Sequence, residues 1–330
     1  MFDVITVGSS TSDIFLHPED TSLVAPPGCA KNKTCHKSLI CWNYGEKINV
    51  EEVHYDIGGS ACNVAVGLSR LGFNTAIISA LGKDLGAERV KNQFTKEKVS
   101  DSYLKTFSNF ETSFSVIITY RGERTILVYH GLRDYSKLNI PKNLSTKWLY
   151  VGPLGNNYGP LYNKIISLVS QKNIHLALNP GVIQLNDLDH SLKSILRVTK
   201  ILFLNKEEAI DLVRPTNILE AKDLLIKVLE LGPEVVVITD GKNGAMAGTK
   251  KEFWQISSLK VDVRDSTGAG DAFSSGFLAS YINNQNIKES LKWGIINSTS
   301  VIENIGAQAG LMKMAKLKRD LIASPKLYSL

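Results

Sequence analysis

The chain is poor in the features that mark several large protein classes. No stretch approaches the roughly 20 consecutive apolar residues that a membrane span requires. The first residues, Met1-Phe2-Asp3-Val4-Ile5-Thr6-Val7-Gly8, lack the basic flank and long apolar run of a secretory signal. The expectation is a protein that stays in the cytoplasm and makes no membrane contact. The four cysteines, at 29, 35, 41 and 62, do not show the pairs two to four residues apart that structural zinc sites favour. Without a secretory signal they are not expected to form disulfides either. Charge is nearly balanced, 38 basic against 32 acidic residues. No basic stripe interleaved with aromatics appears, so nucleic acid is not an expected partner. Two nucleotide-binding signatures are missing as well. No Gly-x-x-x-x-Gly-Lys-[Ser/Thr] occurs, and Gly8 alone follows the first strand, which disfavours both a P-loop kinase and a dinucleotide-dependent dehydrogenase.

Present instead is a long alternation of strands and helices. An apolar strand is expected at 3–8, followed by a polar turn at 9–13. Residues 17–45, with three prolines and three cysteines, read as an irregular excursion, and 47–57 as a half-exposed strand. Gly58-Gly59 leads into a helix whose apolar residues Ala61, Val64, Ala65, Leu68 and Leu71 recur at three- and four-residue steps, stopped by Gly72. A strand at 74–80 and a helix at 85–97 follow.

The Val-, Ile-, Thr- and Tyr-rich runs 112–120 and 124–129 around Arg121-Gly122-Glu123 predict an antiparallel hairpin. Short apolar strands at 147–151, 174–178, 200–204 and 234–239 then alternate with helical segments. That pattern predicts a mostly parallel sheet covered on both faces. A further hairpin is expected at 245–256, and helices near 270–282, 287–303 and 310–322. The economical reading is one α/β domain over residues 1–330, with a small β appendage built from about 14–57 and 102–135.

The segment richest in chemistry is Asp265-Ser266-Thr267-Gly268-Ala269-Gly270-Asp271-Ala272-Phe273. Phe273, Phe277, Leu278, Tyr281 and Ile282 form an apolar helical face behind it, so the glycines stand where a loop enters a helix. Unpartnered N–H groups and the helix dipole favour an anion there, and small residues let it approach. A permanent anion at Asp271 would repel a phosphate unless it takes a proton from an attacking hydroxyl. Asp271 as a simple helix-terminus acid is the competing reading, and the residues alone leave both open.

This segment resembles the C-terminal signature of the ribokinase-like (PfkB) kinases. A second stretch, Gly58-Gly59-Ser60-Ala61-Cys62-Asn63-Val64-Ala65, resembles the family's N-terminal Gly-Gly-…-Asn-x-Ala motif, and the likeness runs on to Gly306-Ala307-Gln308. The resemblance implies a three-layer, Rossmann-like ribokinase fold whose β appendage is a lid, and in some members lids pair into homodimers. It implies transfer of the γ-phosphoryl of ATP to a hydroxyl of a sugar or nucleoside, with Asp271 as general base and Gly268, Ala269 and Gly270 as the anion-binding loop.

The family's substrate-binding positions fall on Asp13, Gly58, Gly59 and Asn63. A carboxylate such as Asp13 accepts two hydroxyl hydrogen bonds, which suits a vicinal diol. Ser60 stands where ribokinase has a lysine, so ribose specificity does not carry over. Asn205-Lys206-Glu207-Glu208 resembles the Asn-x-x-Glu motif, whose glutamate holds Mg2+ largely through water. Thr239-Asp240-Gly241-Lys242-Asn243-Gly244 resembles the phosphate-contacting turn, placing Asn205, Glu208, Thr239, Gly241 and Gly244 at the nucleotide. Asn179 ends a strand where ligands gather in such sheets.

Some members bind K+ behind the anion loop. Asp265, Thr267 and Gly306 match parts of that site, beside an unusual Arg264. Tyr129, His130 and Arg133 are lid candidates for facing the substrate. A non-catalytic sugar-binding relative remains the alternative outside the kinases, although such a protein has no need of a base at 271.

Overall fold

The structure is a computed structural model that describes the whole chain except residues 20, 25–37, 121–122, 142 and 324. Cys29, Cys35 and His36 lie outside the described residues; Cys41 and Cys62 are free thiols. The chain opens with β1 (Phe2–Val7), β2 (Thr11–Pro18), β3 (Ser22–Val24), β4 (Leu39–Cys41) and β5 (Val50–Gly58). Then come α1 (Ser60–Arg70), β6 (Thr75–Ile78), β7 (Ala80–Leu81), α2 (Leu85–Lys96), β8 (Lys105–Thr106), β9 (Phe114–Tyr120) and β10 (Glu123–Tyr129). The alternating part holds β11 (Thr146–Val151), α3 (Gly159–Lys172), β12 (His175–Leu178), α4 (Val182–Asp187), α5 (His190–Leu196), β13 (Ile201–Asn205), α6 (Lys206–Val213) and α7 (Ala221–Leu229). The last elements are β14 (Val235–Thr239), β15 (Ala245–Gly248), β16 (Phe253–Ile256), α8 (Ala269–Asn284), α9 (Ile287–Ile302), α10 (Met314–Asp320) and β17 (Leu327–Ser329).

Among the described residues, nine strands form the main sheet, in the order β17-β16-β15-β14-β13-β12-β11-β1-β6. From β6 to β14 every neighbouring pair is parallel, while β15, β16 and β17 are antiparallel. Side chains alternate between two packed faces, as a strand's twofold period requires. Ile5, Leu149, Leu202 and Val236 pack with α3, α5, α6 and α7 on one face. Val4, Trp148, Phe203 and Val237 pack with α1, α8 and α9 on the other. Burial on both faces explains why these strands read as continuous apolar runs.

The strand order reverses at β1, with β6 on one side and β11 on the other. Such a reversal opens a crevice at the carboxyl ends of the strands, where ligands collect in open α/β sheets.

A second sheet of described residues has the order β10-β9-β2-β5. Its strands span 11–18, 50–58 and 114–129, against the appendage expected at about 14–57 and 102–135; within the latter, β8 pairs with β7. Two expectations are corrected. Residues 9–13 do not form one polar turn: β2 starts at Thr11 and keeps Ser12 and Asp13 within the strand, stabilised by pairing on both sides. Helix α8 has no single apolar face, since every residue from Ala272 to Tyr281 is buried between α1, α9 and the sheet. β17 was not legible at all, being three residues long and held by pairing to β16.

Candidate active site

Two loop-to-helix junctions meet at the crevice. Gly59 caps α1 at φ 92°, a left-handed conformation that a side chain disfavours, and a Cβ there would press into the Ser9 carbonyl. Gly268 caps α8 at φ 74°, and a Cβ there would collide with Ala307. No side chain caps the start of α8, so its first amides have no intrahelical partner. Gly270 is different: nothing stands within 4 Å of an added Cβ, so its smallness keeps space open rather than relieving a clash.

Asp271, in the first turn of α8, is held from α1. Ser60 Oγ donates to its Oδ1 at 2.6 Å and Asn63 Nδ2 to its Oδ2 at 2.8 Å. Burial raises the Asp271 carboxyl above its ordinary value, and these two hydrogen bonds oppose the rise.

On the other side Asp271 borders a small cavity of about 110 Å³, shared with Asn179, Asn205, Glu208, Thr239, Gly270 and Ser274. Asn179 follows β12, Asn205 ends β13 and Thr239 ends β14, so parallel pairing alone aligns them. Asn205 and Glu208 form a reciprocal capping box on α6: Glu208 N donates to Asn205 Oδ1 at 2.7 Å, and Asn205 N to Glu208 Oε2 at 2.8 Å. Glu208 thus caps the start of α6, and the same carboxylate lines the cavity. Burial raises the Glu208 carboxyl, with Asp271 a lesser cause.

Beyond Gly270 a cleft of about 1130 Å³ opens. Lys206 and the turn Thr239–Gly244 line one end, and Leu259, Val261, Val263 and Ile302 supply apolar surface elsewhere. Gly241 and Gly244 have φ of 48° and 94°. The Lys206 ammonium pairs with Asp240 at 2.9 Å.

Asp13 lies in the second sheet, 8 % exposed, and its Oδ1 accepts from Ser115 N at 3.2 Å. Burial raises its carboxyl. Gly58 leaves room for it, since a Cβ at that glycine would strike Asp13 Oδ2. Asp13 pairs in register with Asp56, whose carboxyl burial also raises.

Of the residues expected to face a substrate from the second sheet, Tyr129 stacks on Phe114 with ring centroids 5.1 Å apart. His130 and Arg133 are exposed and line neither cavity beside Asp271.

Arg124 on β10 went unnoticed in the sequence, and it reaches the loop before α8. Its guanidinium pairs with the Asp265 carboxylate and donates to Thr267 Oγ1, and its other nitrogen donates to Ser266 Oγ at 2.7 Å. Asp265 also accepts from Thr267 N at 2.9 Å and Gly306 N at 3.0 Å. The residues matched to a K+ site are thus already supplied with positive charge, by Arg124 rather than by the exposed Arg264. As arranged, they do not fit an additional monovalent cation. Nothing in the local sequence around Arg124 signals this, because its partners lie about 140 residues away.

Four similarities bear on this arrangement. The pattern described as "pfkB family carbohydrate kinase" matches residues 32–314. A nucleoside kinase of Methanocaldococcus jannaschii is 27 % identical over 269 residues, covering 80 % of this chain and 85 % of that protein. A ribokinase of Staphylococcus aureus is 26 % identical over 276 residues, covering 81 % and 89 %. In three dimensions, an Arabidopsis thaliana ribokinase complexed with ribose and ATP superposes with a TM-score of 0.78 at 19 % identity, over 97 % of this chain and 98 % of that one. That likeness is one of fold, and the pattern match spans most of the chain. The chain belongs to the pfkB family of carbohydrate kinases.

Proposed function

We propose that this protein transfers the γ-phosphoryl group of ATP to a hydroxyl of a sugar or nucleoside, with Asp271 as the general base. The observation that carries the reading is the position of Asp271. Its carboxylate stands at an uncapped helix start, between the α1 side chains and the cavity that also holds Asn205, Glu208 and Thr239.

In this reading ATP lies in the larger cleft. Its base rests against the apolar surface of Leu259, Val261, Val263 and Ile302, and its phosphates run along Thr239, Gly241 and Gly244 toward Gly268, Ala269 and Gly270. The open space beside Gly270 suits a phosphoryl group, and the first amides of α8 hold the charge that develops on it. Asp13, Gly58, Gly59 and Asn63 hold the acceptor's hydroxyls. Asp271 takes the proton of the attacking hydroxyl, and catalysis is mostly positioning and charge stabilisation.

Glu208 and Asn205 suit Mg2+ brought in with the nucleotide. Among the described residues no three His, Cys, Asp or Glu side chains converge as a metal cage, and Mg2+ commonly keeps several waters beside one carboxylate. When bound, the ion neutralises charge on the phosphates. A further monovalent cation is not part of the reading, because Arg124 already serves Asp265.

The second sheet acts as a lid, with Arg124 tying it to the loop before α8. Its edge strands β5 and β10 expose Val53, Tyr55, Ile126 and Val128, which favours pairing of two such sheets in a homodimer. No helix of the described residues is long and apolar enough to cross a membrane, in keeping with action in the cytoplasm.

The test is ADP release from Mg·ATP with adenosine, inosine, cytidine, ribose, fructose, phosphofructose and ketodeoxygluconate. One of these acceptors should stimulate release in the native chain and fail to do so in Asp271→Asn. Full stimulation in that variant would remove the base from the reading.

A further inference from the structure

Gln308 lies in the loop between α9 and α10, outside every cavity that contains Asp271, and is 2 % exposed. A buried amide needs partners for both its ends. Gln308 Nε2 donates to Asn63 Oδ1 at 3.0 Å and to Cys62 Sγ at 3.3 Å, and Gln308 Oε1 accepts from Gln93 Nε2 at 2.9 Å.

The directions of these bonds are forced. A carboxylate only accepts, so Asn63 must turn its NH2 to Asp271, which leaves its oxygen facing Gln308. Gln308 must then present its own NH2 to Asn63, which leaves its oxygen for Gln93. Every N–H in the series Gln93, Gln308, Asn63 therefore points toward the carboxylate of Asp271. The backbone is pinned too: Arg70 Nη1 donates to the carbonyl of Gln308 at 2.6 Å, while two other nitrogens of Arg70 hold Glu97 at 2.8 Å each.

We infer that Gln308 is a positioning residue for the phosphoryl transfer, fixing the Asn63 amide so that its donor faces Asp271 and favours the ionised base. The inference rests on the assignment of Asp271 as base. Aligned dipoles strengthen one another where water is excluded, so the effect of Gln308 passes through Asn63 without contact with substrate. Asp271 is otherwise pushed toward its protonated form by burial, and Asn63 is one of two side chains that oppose this.

The other titratable groups around Asp271 do not substitute for this control. The Cys62 thiol and the Tyr150 phenol are both held protonated by burial. Glu208 on α6, Asp13 on β2 and Asp56 on β5 are carboxyls, and none carries a positive charge that would favour the ionised base. Arg70 and Glu97 neutralise each other at the far end of the series. On the loop before α8, Asp265 is paired with Arg124.

The test is Gln308→Glu, which keeps the shape but turns an acceptor toward Asn63. The acid limb of the kcat/KM profile should move up by about one pH unit, a tenfold loss of rate on that limb, with recovery of rate at higher pH. A carbon-13 titration of the Asp271 carboxyl, assigned by its absence in Asp271→Asn, should show the same upward shift. That titration reads the effect of Gln308 whether or not Asp271 is the base. Loss of activity in Asp271→Asn tests the base assignment separately. If Gln308→Glu does not fold, Gln93→Leu at the half-buried end of the series replaces it and should produce a smaller shift of the same sign. An unmoved acid limb and an unmoved titration in a folded variant overturn the inference.

Discussion

Ser60 Oγ lies 2.6 Å from Asp271 Oδ1, although 211 residues separate them in the chain. The contact joins the starts of α1 and α8, the two junctions built on Gly58-Gly59 and Gly268-Ala269-Gly270. It also explains how an acidic residue is accommodated at a half-buried helix start: α1 supplies two donors to the two oxygens.

Asp271→Asn is expected to lower kcat by about 10²–10⁴-fold, the usual contribution of a general base. Stability should move the other way. A carboxyl whose pKa is raised in the folded state contributes stability that is fully present below its unfolded value near 3.8, and that is lost as pH rises through the higher folded value. At neutral pH the ionised Asp271 is therefore a cost, and the variant should melt at a higher temperature. Steady-state turnover and thermal denaturation at neutral pH measure the two effects together.

Gly270→Ala and Gly268→Ala separate open space from backbone constraint. An added Cβ at 270 meets nothing within 4 Å, so the melting temperature should hold while ATP turnover falls, because the methyl group enters space reserved for the phosphoryl group. At 268 the same change meets Ala307 in a left-handed conformation that costs roughly 1–2 kcal/mol by itself. Both stability and turnover should fall there.

Glu208→Gln distinguishes the cap from the magnesium role. Glutamine serves equally well in a capping box, so α6 should keep its stability. If Glu208 organises Mg2+, the Mg2+ concentration for half-maximal activity should rise severalfold. An unchanged requirement would reduce Glu208 to a cap.

Arg124→Gln removes the guanidinium from Asp265, whose side chain is only 8 % exposed. The expected destabilisation is about 1–3 kcal/mol, between the values for exposed and buried pairs. The native protein should show equal activity in Na+ and K+, whereas the variant leaves Asp265 free for a cation and should be stimulated by K+. Strong K+ stimulation of the native chain would contradict the geometry at Arg124.

Much of the fold was legible because the signals were local. The alternating apolar strands and three-residue helical steps gave nearly every element of the main sheet, and the hairpin at 114–129 announced itself through Val, Ile, Thr and Tyr. The misreadings occur where pairing overrides local character. Ser12-Asp13 reads as turn chemistry, yet pairing with β5 on one side and the bond from Ser12 N to the Ser113 carbonyl on the other hold it extended. β17 is too short to show a period, and exists because β16 offers an edge.

The candidate site divides along the same line. Residue types within about ten positions of one another were set down by the sequence itself: a carboxylate after Gly-x-Gly, an asparagine five residues into Gly-Gly-Ser, and Asn205 three before Glu208. Each of these depends only on how a loop enters a helix. What the tertiary structure alone decided is which distant groups act on them. Arg124 reaches Asp265, and Gln308 orients Asn63 from 245 residues away. The hydrogen bond falls off steeply with distance and angle, so such partnerships come into being only when packing delivers the two groups to within about 3 Å.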